Sequence, residues 1–271
     1  MLENFLKLVK MTPVNFSPLS GAEIKSFARE GFVVCRSLAS PAICLNLKRI
    51  AELHLSQLIA PVEYEVDVLY PGGPLNSDAP GGKTSRRLLQ AYARDMSFRE
   101  WSTSQVIGRV LDQLFATGAR IMLSQCHHNC VMTKSPGFSS ATLWHQDARY
   151  WSFDHDNLIS AWLALGPENK SNGCLQVIPG SHLMELDLNR LDASLFLRPE
   201  LSQNKELLQK AELLELDQGD VLFFHARLFH AASRNLTEET KLSPVFTYHE
   251  DDNSPIEGTR SANYPSIPVS V

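Results

Sequence analysis

Basic residues are in short supply: 25 lysines and arginines stand against 30 aspartates and glutamates, for a net charge of −5. Without a basic excess there is no field to hold a phosphate backbone, which removes nucleic acid as a first partner. Cysteine is scarce and odd in number, with Cys35, Cys44, Cys126, Cys130 and Cys174 spread over 271 residues. A chain this long needs no disulfide staples, so a reducing, cytoplasmic setting is expected. No apolar run approaches the roughly 18 residues that a membrane-spanning helix requires. The opening MLENFLKLVKMTP has an early acid, a lysine inside its apolar run and no small-residue cleavage site, so it does not read as a secretion signal. Internal repeats and low-complexity tracts are also lacking. What is left is an ordinary globular chain, with nothing in it that demands an oligomer.

The stretch LSGAEIKSFAREGFVVCRSL places Ser20 and Glu23 at capping-box spacing, then Ile24, Phe27 and Ala28 at helical spacing, then Gly31 as a stop. It predicts a short helix leading into a strand over Phe32 to Cys35. Ser40 and Pro41 open a second helix, with Ile43, Leu47, Ile50 and Ala51 on one face. Residues 61–85 are rich in proline and glycine and read as a loop. A third helix is expected from about Ser104 to Phe115. From Arg120 the texture changes to short β-type runs separated by turn residues, about half a dozen of them, which predicts an antiparallel sandwich or barrel. The leucine-rich, charged stretch 183–216 is expected to be a helical insertion between two of those strands. One domain over 1–271 is the economical reading, with 1–119 mainly helical and 120–250 the β core.

Several stretches carry chemistry-bearing residues. SDAPGGKTS ends like a phosphate-binding loop, but Ser77 stands where glycine is needed and Pro80 removes an N–H, so a polar loop is expected. CHHNC, at 126–130, gathers thiols and imidazoles without a second Cys/His pair to complete a zinc tetrahedron, and is expected to be a structural strand next to the site. LWHQDARYW is different: on an extended strand His145 and Asp147 share a face while Gln146 points away. Two histidines and one carboxylate form one face of an octahedron, as in non-haem iron(II) oxygenases. The third ligand is expected near the end of another strand, and GDVLFFHARLFHAASRN offers both His225 and His230. Periodicity does not choose between them.

Taken in order, LWHQDARYWSF, NLISAWLAL, NGCLQVIPGSH and GDVLFFHARLFHAASRN, together with the N-terminal LSGAEIKSFAREGFVVCRSL, resemble the phytanoyl-CoA dioxygenase family of iron(II)- and 2-oxoglutarate-dependent oxygenases. The likeness leaves out 61–85 and 183–216. It implies a mainly β fold with flanking helices, whose core is a double-stranded β-helix, a cupin-like jelly roll. It implies His145, Asp147 and His230 as iron ligands, the last chosen by the block His-x-x-x-x-Asn ending at Asn235, and leaves His225 as a strand residue beside the site. Where the family has an arginine for the far carboxylate of 2-oxoglutarate, this chain has Lys241, a point charge without the bidentate fork. Where it usually has a hydroxyl, this chain has Ala232. Gln146 and Trp162 match positions that line the cosubstrate pocket, and Arg86 or Arg87 matches a basic residue upstream. NGCLQVIPGSH is expected to be mostly structural.

The activity implied is hydroxylation of an unactivated C–H bond with consumption of 2-oxoglutarate and O2 and release of succinate and CO2. Asp147 favours it over halogenation, which uses a small residue there; desaturation, ring formation and epimerisation use the same ligands. Two other readings are a metal-binding sandwich without oxygenase activity and a zinc hydrolase. For the substrate, Arg149, Tyr150 and Trp151 follow the ligand strand, and 61–85 is placed to form a lid, which suits a polar or anionic small molecule.

Overall fold

A computed structural model describes residues 19–68 and 70–271; MLENFLKLVKMTP lies outside them. Helix α1 (Gly21–Glu30) begins as its capping box requires, with the Ser20 hydroxyl accepting from the Glu23 N–H and the Glu23 carboxylate accepting from the Ser20 N–H at 2.8 Å. It stops at Gly31, whose φ of 83° is left-handed backbone. The chain then enters β1 (Phe32–Cys35) and α2 (Pro41–Ser56), the latter capped by Ser40 with proline at its first turn. The expected loop 61–85 contains β2 (Val62–Tyr64) and α3 (Glu65–Val68) and ends in β3 (Ser85–Leu89). Two short helices, α4 (Ala91–Arg94) and α5 (Met96–Ser102), precede α6 (Gln105–Phe115), which falls where the third helix was expected.

The β region follows with β4 (Ile121–Leu123), β5 (Asn129–Lys134), β6 (Thr142–His145), β7 (Ile159–Leu163) and β8 (Leu175–Val177). After α7 (Ser202–Leu208) come β9 (Glu212–Leu213), β10 (Val221–His225), β11 (His230–Ala232), β12 (Lys241–Glu250) and β13 (Ile267–Pro268). These strands build two antiparallel sheets. The larger runs β1-β10-β7-β12-β5-β3-β2, with β4 on β12 and β13 on β4; the smaller runs β6-β11-β8-β9. The N-terminal third is therefore not a separate helical layer. Its β1, β2 and β3 complete the large sheet, because β1 pairs β10 and β3 pairs β5.

Strand alternation divides the large sheet into two faces. One face carries Val131, Ile159, Ala161, Leu163, Val221, Phe223 and Phe246 against the helices, where Phe27, Leu47, Phe98, Ile107 and Leu111 are buried. The other turns Cys130, Trp162, Leu222, Phe224 and Val245 toward Leu175, Val177 and Ala232 of the small sheet. The jelly-roll interior is this second space. The insertion 183–216 is less helical than its leucines suggest: α7 is its only α-helix among the described residues, and the rest is loops, 3-10 turns and the short strand β9. Leu197 and Leu207 pack on Ile178 and Phe229 as a local cluster, so the leucines cover one end of the small sheet and do not line a long helix. Among the described residues no helix is long and apolar enough to cross a membrane.

Candidate active site

His145 ends β6 and His230 begins β11, and the two are direct partners across the antiparallel ladder. That register brings their rings to 4.3 Å between centroids. Extended backbone at Gln146 carries Asp147 back to the same side at the start of a 3-10 turn. Asp147 Oδ1 then lies 3.5 Å from Nε2 of both histidines. All three side chains are buried, and one donor atom from each lies within 4.8 Å of the others.

These residues fit a metal ion. Nδ1 of His145 meets the Leu143 carbonyl at 2.8 Å and Nδ1 of His230 meets that of Leu228 at 3.0 Å. A carbonyl only accepts, so each Nδ1 holds the proton and each Nε2 turns a lone pair to the centre. Burial pushes His230 down to about 4, which keeps its ring neutral. Both carboxylate oxygens of Asp147 are buried without a hydrogen-bond partner among the described residues. Burial alone raises its pKa, but the neighbouring His128 and His230 outweigh that and hold it well below the usual carboxylate range. A buried, ionised, unpartnered carboxylate facing two imidazole lone pairs is short of one cation.

His128, from CHHNC, approaches Asp147 Oδ2 to 3.1 Å through Nδ1. The motif is not one continuous strand: β5 begins only at Asn129, and His127 has a φ of 50°. That break aims His128 at the site and lays His127 on Trp151, with ring centroids 4.7 Å apart.

The adjoining pocket is lined by Arg86, Arg87, Lys134, Thr142, Tyr150, Trp162, Ala232 and Lys241, with Tyr70, His145 and His230. Trp162 and Lys241 thus lie on the wall beside the donors, but Lys241 is already matched: Nζ is 2.8 Å from Oε2 of the buried Glu168. Glu168 also accepts from Ser243 Oγ at 2.6 Å and Trp162 Nε1 at 3.0 Å. Arg86 donates to Glu65, Ser140 and Thr142, the last at 3.1 Å, while Arg87 forms a two-pronged pair with Glu63 at 2.6 and 2.5 Å. Thr142, the cross-strand partner of Ala232 and its neighbour on the pocket wall, carries a hydroxyl.

Three expectations need correction. Gln146 donates to the Arg227 carbonyl, turned from the pocket by the alternation that sends His145 inward. Trp151 belongs to a core cluster with Phe153 and Leu158. His225 closes β10 as the strand residue expected, on the face of Val221 and Phe223 opposite the pocket-lining Phe224, with its ring 5.5 Å from that of His182. Tyr150 does line the pocket and meets Tyr70 hydroxyl to hydroxyl at 3.3 Å. Arg149 lies outside that wall, its guanidinium 3.9 Å over Phe196, whose ring is 5.8 Å from His145. Sequence reasoning missed Lys134, Glu168, Thr142, Tyr70 and Phe196. Only strand register or loop folding brings them here, and neither leaves a local motif.

The family model described as phytanoyl-CoA dioxygenase matches residues 27–243. The peroxisomal phytanoyl-CoA dioxygenase of Rattus norvegicus is 25% identical over 276 residues, spanning 93% of this chain and 78% of that one. The Homo sapiens protein of the same name is 30% identical over 223 residues, 79% of this chain and 63% of its own. Among solved structures, EctD from S. alaskensis with 2-oxoglutarate and 5-hydroxyectoine superposes with a TM-score of 0.70 at 19% identity, covering 92% of this chain and 82% of EctD. The carbocyclase SnoK from nogalamycin biosynthesis does so at 0.69 and 18%, covering 96% and 97%. These structural likenesses give the jelly-roll fold. With the family model spanning most of its length and a buried His-Asp-His set at its centre, the chain belongs to the phytanoyl-CoA dioxygenase family of 2-oxoglutarate-dependent oxygenases.

Proposed function

We propose that the protein hydroxylates an unactivated C–H bond of a small molecule, with His145, Asp147 and His230 holding iron(II) and the basic pocket holding 2-oxoglutarate. The observation that carries this reading is the convergence of two Nε2 lone pairs and one unpartnered carboxylate on a single point. Bound iron supplies the oxidising chemistry, coupled to decarboxylation of the cosubstrate. The chain's own residues do the rest. Leu143 and Leu228 fix the two imidazoles by their carbonyls, so the donor set needs no rearrangement to accept the ion. Thr142 and Trp162 bound the cosubstrate's place with the lysines, and Tyr70, Tyr150 and Phe196 narrow the mouth over His145. The basic pocket beside the donors supports a diacid cosubstrate over a zinc-bound water, which asks for no such charge.

Anaerobic titration with Fe(II) and 2-oxoglutarate tests this. A weak visible charge-transfer band is expected in the unaltered protein and its loss in Asp147→Ala. No band in the unaltered protein overturns the proposal.

A further inference from the structure

The charges around the pocket do not cancel. Arg87 is closed by Glu63, Arg86 faces Glu65 at 3.2 Å, and Lys241 faces Glu168 at 2.8 Å. Of the four basic residues on the pocket wall, only Lys134 has no carboxylate within ion-pair distance among the described residues. Its Nζ donates to the backbone carbonyls of Ser140, at 3.2 Å, and Ser233, which leaves one of three N–H groups unused. Lys134 and Lys241 are direct cross-strand partners on β5 and β12, so both side chains leave the same face of the sheet. Like charges placed opposite each other repel. Burial first, then the charges of Lys241 and Arg86, push Lys134 down to about 7. An ammonium held in this way lacks one anion, and the missing anion belongs in the pocket.

We propose that Lys134, and not Lys241, supplies the uncompensated charge that binds the second carboxylate of a dicarboxylic 2-oxo acid, while Glu168 keeps Lys241 as a neutralised donor beside it. This rests on the pocket being the cosubstrate site. The charge count then closes: Arg86, Lys134 and Lys241 meet Glu65, Glu168 and the incoming carboxylate. Glu168 accordingly acts as a positioning residue that decides which lysine the cosubstrate finds. A 2-oxo acid without a second carboxylate gains nothing from Lys134, so this residue sets selectivity for the diacid.

The test is anaerobic titration of the Fe(II)-loaded protein with 2-oxoglutarate and, separately, 2-oxobutanoate, reading the visible band as binding. Lys134→Met is expected to weaken 2-oxoglutarate by about 10- to 100-fold, the range of a lost hydrogen bond to a charged group, and to leave 2-oxobutanoate unchanged. Glu168→Gln unmasks Lys241 and is expected to tighten 2-oxoglutarate alone. In the unaltered protein, 2-oxoglutarate should bind more weakly as pH rises above about 7, because the complex must then take up a proton. Unchanged 2-oxoglutarate binding in Lys134→Met, or equal loss for both acids, overturns the inference while leaving the proposed function intact. A band absent from the unaltered protein with 2-oxoglutarate overturns both.

Discussion

Glu168 is a fully enclosed carboxylate with Lys241, Ser243 and Trp162 as its donors. Removing one partner of such a pair strands the other charge in a low-dielectric interior. Lys241→Met is therefore expected to cost about 3–5 kcal/mol in urea unfolding, and adding Glu168→Gln to restore most of it, because a neutral amide no longer needs a counter-charge. At this scale the sequence is informative only over short distances. His145 and Asp147 are readable because two-residue spacing on an extended strand puts them together. Lys134, Lys241 and Glu168 are far apart in the chain and meet only through the β5–β12 register and the fold of the 166–172 turn, so no local pattern announces them. Gln146 shows the reverse error: family likeness put it in the pocket, and the alternation already visible around it put it outside.

Among the elements, punctuation carried more information than composition. Ser20, Gly31, Ser40 and Pro41 mark helix ends by hydrogen-bond and dihedral requirements, and α1, β1 and α2 lie where those residues put them. The short α4 and α5 have too few turns for an apolar stripe, and β2 and α3 hide in a stretch read as loop, with β3 beginning at its end. The leucines of 183–216 mimic a helical stripe but serve a cap over the small sheet. Helix α6 also has a second duty that periodicity cannot show: a Cβ at Gly108 would lie 1.9 Å from the Ser270 carbonyl oxygen. Alanine is the better helix former by about 1 kcal/mol, yet overpacking against backbone typically costs about 1–3 kcal/mol. Gly108→Ala is accordingly expected to destabilise the protein and to speed amide exchange in β13 and the residues after it, measured by hydrogen exchange.

For the whole molecule, acid and metal should act in opposite directions. Burial pushes His127 down to about 3 and His225 down to about 4, so both are neutral when folded. The unfolded chain protonates them near the ordinary value of about 6.5, so between there and about 4 it binds more protons than the native state. Their contribution is complete above about pH 6.5 and is lost as pH falls through that window, and the urea midpoint should drop from pH 7 to pH 5. His127→Asn, which tolerates the left-handed backbone at this position, should flatten that dependence. Iron(II) binds only the assembled ligands, so a hundredfold excess over its dissociation constant should add about 2.7 kcal/mol, seen as a higher melting temperature that Asp147→Ala does not share. The stretches 61–85 and 183–216 are the ones that bring Tyr70 and Phe196 face to edge at 5.4 Å over the mouth. The jelly roll that holds the three ligand side chains and the loops that meet what enters are thus carried on separate pieces of chain. New preferences can be acquired by rewriting the rim, with the oxidising machinery beneath it left untouched.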